Sequence, residues 1–194
     1  MAKKGKLFVI DGASGSGKST VLKELERNEA FRLVHVKRLT TRQRRPGDEE
    51  EENYEFVSHE EFRRMVEAGE FIEWKDYLFG MSYGTPRRQV EELLEAGRNV
   101  IAIINLGSLP EVKKAVPEAV GIFTRTDLKD LERRLRGRGN HTEEQIEERL
   151  GNAKAAARFE PLYDHVVDND DGHLKECLET VRRIVASHLG LDEE

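Results

Sequence analysis

The pattern that most constrains this chain is Gly12-Ala13-Ser14-Gly15-Ser16-Gly17-Lys18-Ser19, which reads G-x-x-x-x-G-K-S. An apolar run, Leu7-Phe8-Val9-Ile10, precedes it as a buried strand would, and Thr20 to Arg27 follows with helical periodicity. A glycine loop set between a strand and a helix makes a phosphate cradle. The glycines let backbone N–H groups turn inward around phosphate oxygens, and the helix N-terminus adds the positive end of its dipole. A flexible Gly/Ser turn would explain neither the Lys-Ser pair at this offset nor the two flanks. In this reading Lys18 reaches the outer phosphates of a nucleoside triphosphate, and the Ser19 hydroxyl ligates Mg²⁺.

The 194 residues suffice for one domain, or one with small insertions. Hydrophobic residues make up 37% and charged residues 36%, which is polar for a globular chain, but the apolar positions are periodic and argue against disorder. A formal net charge of −6 speaks against a surface that coats nucleic acid and leaves room for a local basic site. The single cysteine, Cys177, excludes an internal disulfide and reads as a buried thiol in the last helix. No apolar run approaches the ~18 residues that span a bilayer. The basic start runs straight into the first strand, unlike a signal peptide. The expectation is a soluble cytoplasmic protein, monomer or homodimer, acting on small molecules without a nucleic-acid or membrane partner.

Along the chain, a strand at 6–11, the loop and a helix to about Arg27 are followed by a short strand at 31–36. The basic run from Lys37 to Gly47 and the acidic run Asp48 to Glu52 carry no period and read mostly as loop. Beside a phosphate loop, the basic run suits an anion clamp, because the planar fork of arginine binds phosphate through two bonds. Tyr54–Val57 alternates as a strand. Ser58 and Glu61 form a capping box for a helix ending near Gly69. Strand pieces at 71–74 and 81–84 follow, and Thr85 caps a helix with Pro86 in its first turn. Val100–Ile104 suits a strand buried on both faces. A helix at 109–115, a strand at 120–123 and a helix at 128–138 stopped by Gly139 come next. A second capping box, Thr142 with Gln145, opens a helix to about Phe159. A strand at 163–168 and a helix at 172–189 close the chain. The alternation means α/β with a mostly parallel sheet.

The pieces then resemble, in order and over nearly the whole chain, the guanylate kinase family. They are the phosphate loop, Thr40-Thr41-Arg42-x-x-Arg45-Pro46-Gly47-Asp48, Asn53-Tyr54-Glu55-Phe56-Val57-Ser58, Glu70-Phe71-Ile72-Glu73-Trp74, Tyr83-Gly84-Thr85-Pro86, Arg134 to Gly139, Arg149-Leu150 and Asn169-Asp170-Asp171. The resemblance implies a three-layer P-loop NTPase core (1–37, 86–133 and 160–194), a strand-rich acceptor-binding insertion (38–85) and a helical lid (134–159). It implies transfer of the γ-phosphoryl group of ATP, with Mg²⁺, to the phosphate of GMP. The ATP site would comprise Gly12 to Thr20 with Asn169 near the adenine. Arg42, Arg45, Tyr54 and Tyr83 would hold the acceptor phosphate, with Asp48 beside them. Glu73 would accept from guanine N1–H and its amino group, and Thr85 would contact the guanine oxygen. Lys18, Arg42 and the lid arginines Arg134, Arg138 and Arg149 would stabilise the transferring phosphoryl group. The insertion and lid would close over the substrates and exclude water.

Three positions depart from the family pattern. Arg38 stands where a serine is usual. Ala102 and Ile104 are taken to stand where the family carries two aspartates, D-x-D, on a central strand. Together these make the acceptor site more positive and suggest a more anionic acceptor. In Arg38 and in the asparagine-containing turn Asn105-Leu106-Gly107-Ser108 the chain is similar to ribose 1,5-bisphosphate kinases, whereas Glu73, Tyr54 and Arg45 to Asp48 are similar to guanylate kinases. A non-catalytic guanylate-kinase-like binding module is a third reading, opposed by the complete phosphate loop.

Overall fold

The computed structural model describes residues 4–44, 53–77, 80–137 and 142–191. The chain opens with β1 (Leu7–Gly12), α1 (Lys18–Arg27), β2 (Leu33–His35), β3 (Arg38–Thr40), β4 (Tyr54–Phe56) and α2 (His59–Glu67). It continues through β5 (Phe71–Asp76), β6 (Ser82–Pro86), α3 (Arg87–Glu95), β7 (Asn99–Ile103), α4 (Leu109–Ala115) and β8 (Val120–Arg125). It ends with α5 (Leu128–Gly137), α6 (Glu143–Ala156), β9 (His165–Asp168) and α7 (Leu174–Leu189). Among the described residues the strands form two sheets, one of five strands in the order β2-β7-β1-β8-β9 and one of four in the order β4-β3-β6-β5.

The larger sheet is parallel throughout, with β1 between β7 and β8. Its strands are apolar on both faces because both are covered. Phe8, Ile10, Ile101 and Ile103 point to one side, against Val21, Leu22 and Leu25 of α1 and Cys177, Val181 and Val185 of α7. Leu7, Val9, Val100 and Ala102 point to the other, against Val90 and Leu94 of α3 and Leu109 and Val112 of α4. This is the expected three-layer arrangement, and the ends of β1, β7 and β8 that carry the phosphate loop lie on one edge, where open α/β sheets bind ligands.

The smaller sheet differs in composition and in how it is held. Strand β3 pairs parallel with β4 and antiparallel with β6, which pairs antiparallel with β5. Its apolar face, Leu39 and Phe71, packs against Phe62 of α2, with the two phenyl rings stacked at 4.7 Å. A register shift between Phe71 and Glu73 breaks the strand's alternation. Past it, Trp74 lies edge-on to Phe62. Glu73 is held on the polar side by Thr85 and Asn105.

Several expectations need correction. Residues 38–40 are a strand rather than loop, since one apolar residue, Leu39, seats the segment between two partners. Thr85 does not cap α3: it lies within β6, the cap position is Pro86, and the Thr85 hydroxyl is committed elsewhere. Ser58 does cap α2, accepting from Glu61 N at 3.0 Å, while the Glu61 carboxylate pairs with Arg64. The Thr142–Gln145 box forms with both bonds. Helix α6 gives way at Ala157 to a 3-10 turn around Pro161, and α7 begins two residues later than expected. Ala102 and Ile104 are buried in the apolar layer facing α3 and α4, so neither borders a phosphate site. Carboxylates there would be sealed in hydrocarbon. The polar contribution of this strand end comes from the next residue, Asn105.

Candidate active site

The donor side is built from backbone. Gly12 and Gly17 hold φ near +145° and +93°, which favour glycine. A side chain on Gly12 would strike the Thr124 carbonyl, and one on Gly17 the Asn169 amide. Ser16 N–H donates to the Ala13 carbonyl at 3.1 Å, and Lys18 Nζ donates to the Gly12 and Ala13 carbonyls, each at 2.8 Å. The ammonium is thus held over the loop at the N-terminus of α1. Ser16 Oγ lies 2.7 Å from Thr124 Oγ1, and Asn169 Nδ2 donates to the Ser16 carbonyl at 2.8 Å. Asn169 therefore sits beneath the loop and braces it. Ser19 and Thr20 open α1, the former half-buried and the latter exposed.

Two lid-region arginines reach this loop. Arg149 Nη1 donates to Ser14 Oγ at 2.5 Å. Arg134 pairs with Asp171 through Nε at 2.7 Å, donates to the Asn169 carbonyl at 2.8 Å and lies 3.4 Å from the Gly15 carbonyl. Both are placed by α5 and α6, which pack through Leu131, Leu135 and Ile146 onto the loop's Ala13. Arg138, and the acceptor-side residues Arg45 and Asp48, lie outside the described residues.

The acceptor side is built from side chains on the small sheet. Glu73 is only 3% exposed. Its Oε1 accepts from the Thr85 hydroxyl at 2.6 Å and its Oε2 from Asn105 Nδ2 at 2.7 Å. Arg42 lies 4.9 Å over the Tyr54 ring and 5.1 Å over Phe56, and donates to the Gln43 carbonyl at 3.0 Å. Tyr54 meets Tyr83 edge-on at 5.8 Å, and Arg38 lies 5.0 Å over the Tyr83 ring. The structure thus gathers Arg38, Arg42, Tyr54, Glu73, Tyr83 and Thr85 on one sheet, with a cation at each end of a tyrosine pair.

Two further residues complete the site: Asp11 on the donor side, which sequence reasoning missed, and Asn105, noted in the sequence only as part of a turn, which joins the two sides. Asp11, 1% exposed, takes the Gly12 N–H at 2.6 Å on Oδ1, and on Oδ2 the Gly107 N–H at 2.8 Å and the Tyr163 hydroxyl. Burial pushes its carboxyl up to about 6 against these donors and Lys18. Asn105 joins Glu73 to Arg38, which donates to its Oδ1, and also binds the Tyr83 carbonyl and the Tyr77 hydroxyl. Burial raises the Tyr77 hydroxyl to about 12 and lifts that of Tyr163 as well. Two signals pointed here: a carboxylate ending an apolar strand needs partners, and Asn105 follows a parallel strand on the ligand-binding edge. Cys177 is buried under β9, its thiol pushed up to about 11 by burial.

The site is a glycine-rich loop at a helix N-terminus, faced by a pocket with a buried carboxylate and stacked arginines. The guanylate kinase family model matches residues 4–188. The chain is 41% identical over 189 residues to a guanylate kinase of Rubrobacter xylanophilus, covering 95% of this chain and 97% of that one. It is 37% identical over 194 residues to a guanylate kinase of Streptococcus thermophilus, covering 99% and 91%. The crystal structure of guanylate kinase from Anaplasma phagocytophilum superposes with a TM-score of 0.74 at 27% identity, covering 95% of this chain and 86% of that one.

Proposed function

This chain belongs to the guanylate kinase family, and we propose that it transfers the γ-phosphoryl group of ATP to the phosphate of GMP, giving ADP and GDP. The observation that carries this reading is the placing of Glu73: a buried carboxylate, with hydroxyl and amide partners, on the acceptor sheet facing a complete phosphate loop. Guanine offers two adjacent donors, N1–H and the 2-amino group, to such a carboxylate, and a buried carboxylate rejects a base that presents a lone pair there.

The reaction is an in-line displacement. A phosphate oxygen of GMP attacks the γ-phosphorus, the bond to the bridging oxygen breaks, and the electron pair leaves on ADP. The protein has to align the reactants and neutralise the equatorial oxygens. Lys18 serves the β- and γ-phosphates, Arg42 the acceptor phosphate with Tyr54 and Tyr83, and Arg134 and Arg149 the donor side, with Arg45, Asp48 and Arg138 completing the set. Mg²⁺ suits this donor set. Ser19 supplies one hard oxygen, and the described residues hold no cluster of three acidic, histidine or cysteine side chains, as fits an ion bound mainly through ATP and water. When bound, it neutralises charge on the β- and γ-phosphates. We propose a cytoplasmic location; among the described residues no helix is long and apolar enough to cross a membrane, which by itself fixes no compartment.

The test is ADP release from ATP with GMP, dGMP, AMP, UMP, CMP or ribose 1,5-bisphosphate as acceptor. GMP is expected to give the highest kcat/KM by at least about 100-fold over AMP. Faster turnover with ribose 1,5-bisphosphate would overturn the assignment.

A further inference from the structure

Arg38 is the residue the phosphate-transfer chemistry leaves without a task. It is 6% exposed, on the central β3 of the acceptor sheet, and its guanidinium lies on the Tyr83 face. One prong of its side-on fork, Nη2, donates to Asn105 Oδ1. The other, Nε, is buried with no hydrogen-bond partner among the described residues. An unpartnered donor on a buried cation is costly, so a pocket that keeps one has a use for it. The described residues thus engage half of a fork shaped for two acceptors side by side.

The amide between Arg38 and Glu73 indicates what the pocket reads. Asn105 turns its carbonyl to the guanidinium and its N–H to the carboxylate at 2.7 Å. A carboxamide and the lactam edge of guanine carry the same sequence of atoms: acceptor oxygen, carbon, nitrogen with hydrogen. Arg38 and Glu73 are therefore spaced and oriented to receive an O=C–N–H unit. Guanine offers that unit as O6 and N1–H, and adds N7, a second acceptor beside O6. The paired acceptors O6 and N7 are what an arginine fork takes from guanine in general.

We infer that Arg38 is a specificity-determining residue that donates to O6 and N7 of the acceptor purine while Glu73 reads N1–H and the 2-amino group from the other side. This rests on the guanylate kinase reading and extends it: the base is gripped on two edges by a cation and an anion, its O=C–N–H unit taking the place that the Asn105 carboxamide holds between them. Adenine inverts the pattern. Its amino group faces the Arg38 donors and its N1 lone pair faces Glu73, so both contacts become repulsive. Hypoxanthine keeps O6, N1–H and N7 and loses only the amino contact.

The experiment compares kcat/KM for GMP, IMP, AMP and 7-deaza-GMP, in which N7 is replaced by C–H, on the unmodified enzyme and on Arg38→Met and Arg38→Lys. On the unmodified enzyme 7-deaza-GMP should lose about 10-fold against GMP, and IMP should stay well above AMP. In Arg38→Met the GMP value should fall about 100-fold, the AMP value should not fall with it, and the 7-deaza penalty should vanish. Arg38→Lys should recover part of the O6 contact and none of the N7 preference. Equal rates with GMP and 7-deaza-GMP on the unmodified enzyme, which needs no variant to fold, would overturn the role of Arg38 while leaving the guanylate kinase assignment standing. So would an Arg38→Met enzyme with an unchanged GMP-to-AMP ratio. An unmodified enzyme that ignores GMP and turns over ribose 1,5-bisphosphate would overturn the assignment itself and recast Arg38 as a phosphate ligand.

Discussion

On the proposed assignment, the two sheets of this protein solve the problem of binding an anion in opposite ways. On the five-stranded sheet the phosphate site is made of backbone: glycines in left-handed conformations, N–H groups at a helix start, and a lysine held by two carbonyls. On the four-stranded sheet it is made of side chains: Arg42 stacked on Tyr54 and Phe56, and Glu73 held by Thr85 and Asn105. The first is underpinned by two apolar layers, the second by a small cluster around Phe62. A backbone site is generic and takes any triphosphate tail, whereas a side-chain site can distinguish one base from another.

If that division is right, damage to the core loop should spare acceptor recognition. Lys18→Ala is expected to lower turnover about 10³-fold with every acceptor while GMP binding, measured by calorimetry, changes little. An equal loss of GMP affinity would show that the two sites are one unit. Next in size, Phe62→Ala should cost about 3–5 kcal/mol of stability in denaturant titration, because it empties the centre of the small sheet's apolar face. It should also raise the KM for GMP more than that for ATP, since β5 and its Glu73 rest on that face.

The core beneath the loop can be titrated at Asp11. Asp11 titrates at about 6 in the folded protein against an ordinary 3.8. Below pH 4 both folded and unfolded chains carry its proton. As pH rises from 4 through 6 the unfolded chain releases the proton first, so the folded state loses up to about 3 kcal/mol relative to low pH. Asp11→Asn cannot titrate. The stability difference between it and the unmodified protein should therefore slope across pH 4–6 and level off above about 7. Parallel pH profiles in urea denaturation would show that the buried carboxyl behaves ordinarily. Glu73→Gln should act on the acceptor side alone, lowering kcat/KM for GMP about 100-fold with the KM for ATP unchanged. A GMP value that does not move would break the guanine reading.

The contrast also explains what was legible in the sequence. The strand, loop and helix around Gly12–Ser19 were readable because the glycines, lysine and serine are adjacent in the chain. The alternation of apolar strands and helices was readable because each element is long enough to show its period. Arg38 to Thr40 was not, since three residues with one leucine show no period and become a strand only when β4 and β6 pair with them. Ala102 and Ile104 were misplaced because a continuous apolar strand hides which residues face which layer. A shift of one residue exchanges core for site, and Asn105 is one residue past Ile104. Asp11 and Tyr163 are 152 positions apart, and nothing local announces their contact.

That separation has a consequence for how the protein is made. Strand β1 and the phosphate loop are made before the neighbours that complete them: β7 near residue 100, β8 near 120, and Asn169, whose amide holds the Ser16 carbonyl. The loop thus waits for Asn169, 153 positions on from Ser16, before it acquires its shape, a high-contact-order arrangement that defers folding of the core. A nascent chain that stops short of Asn169 therefore displays the glycine motif without the amide that braces it.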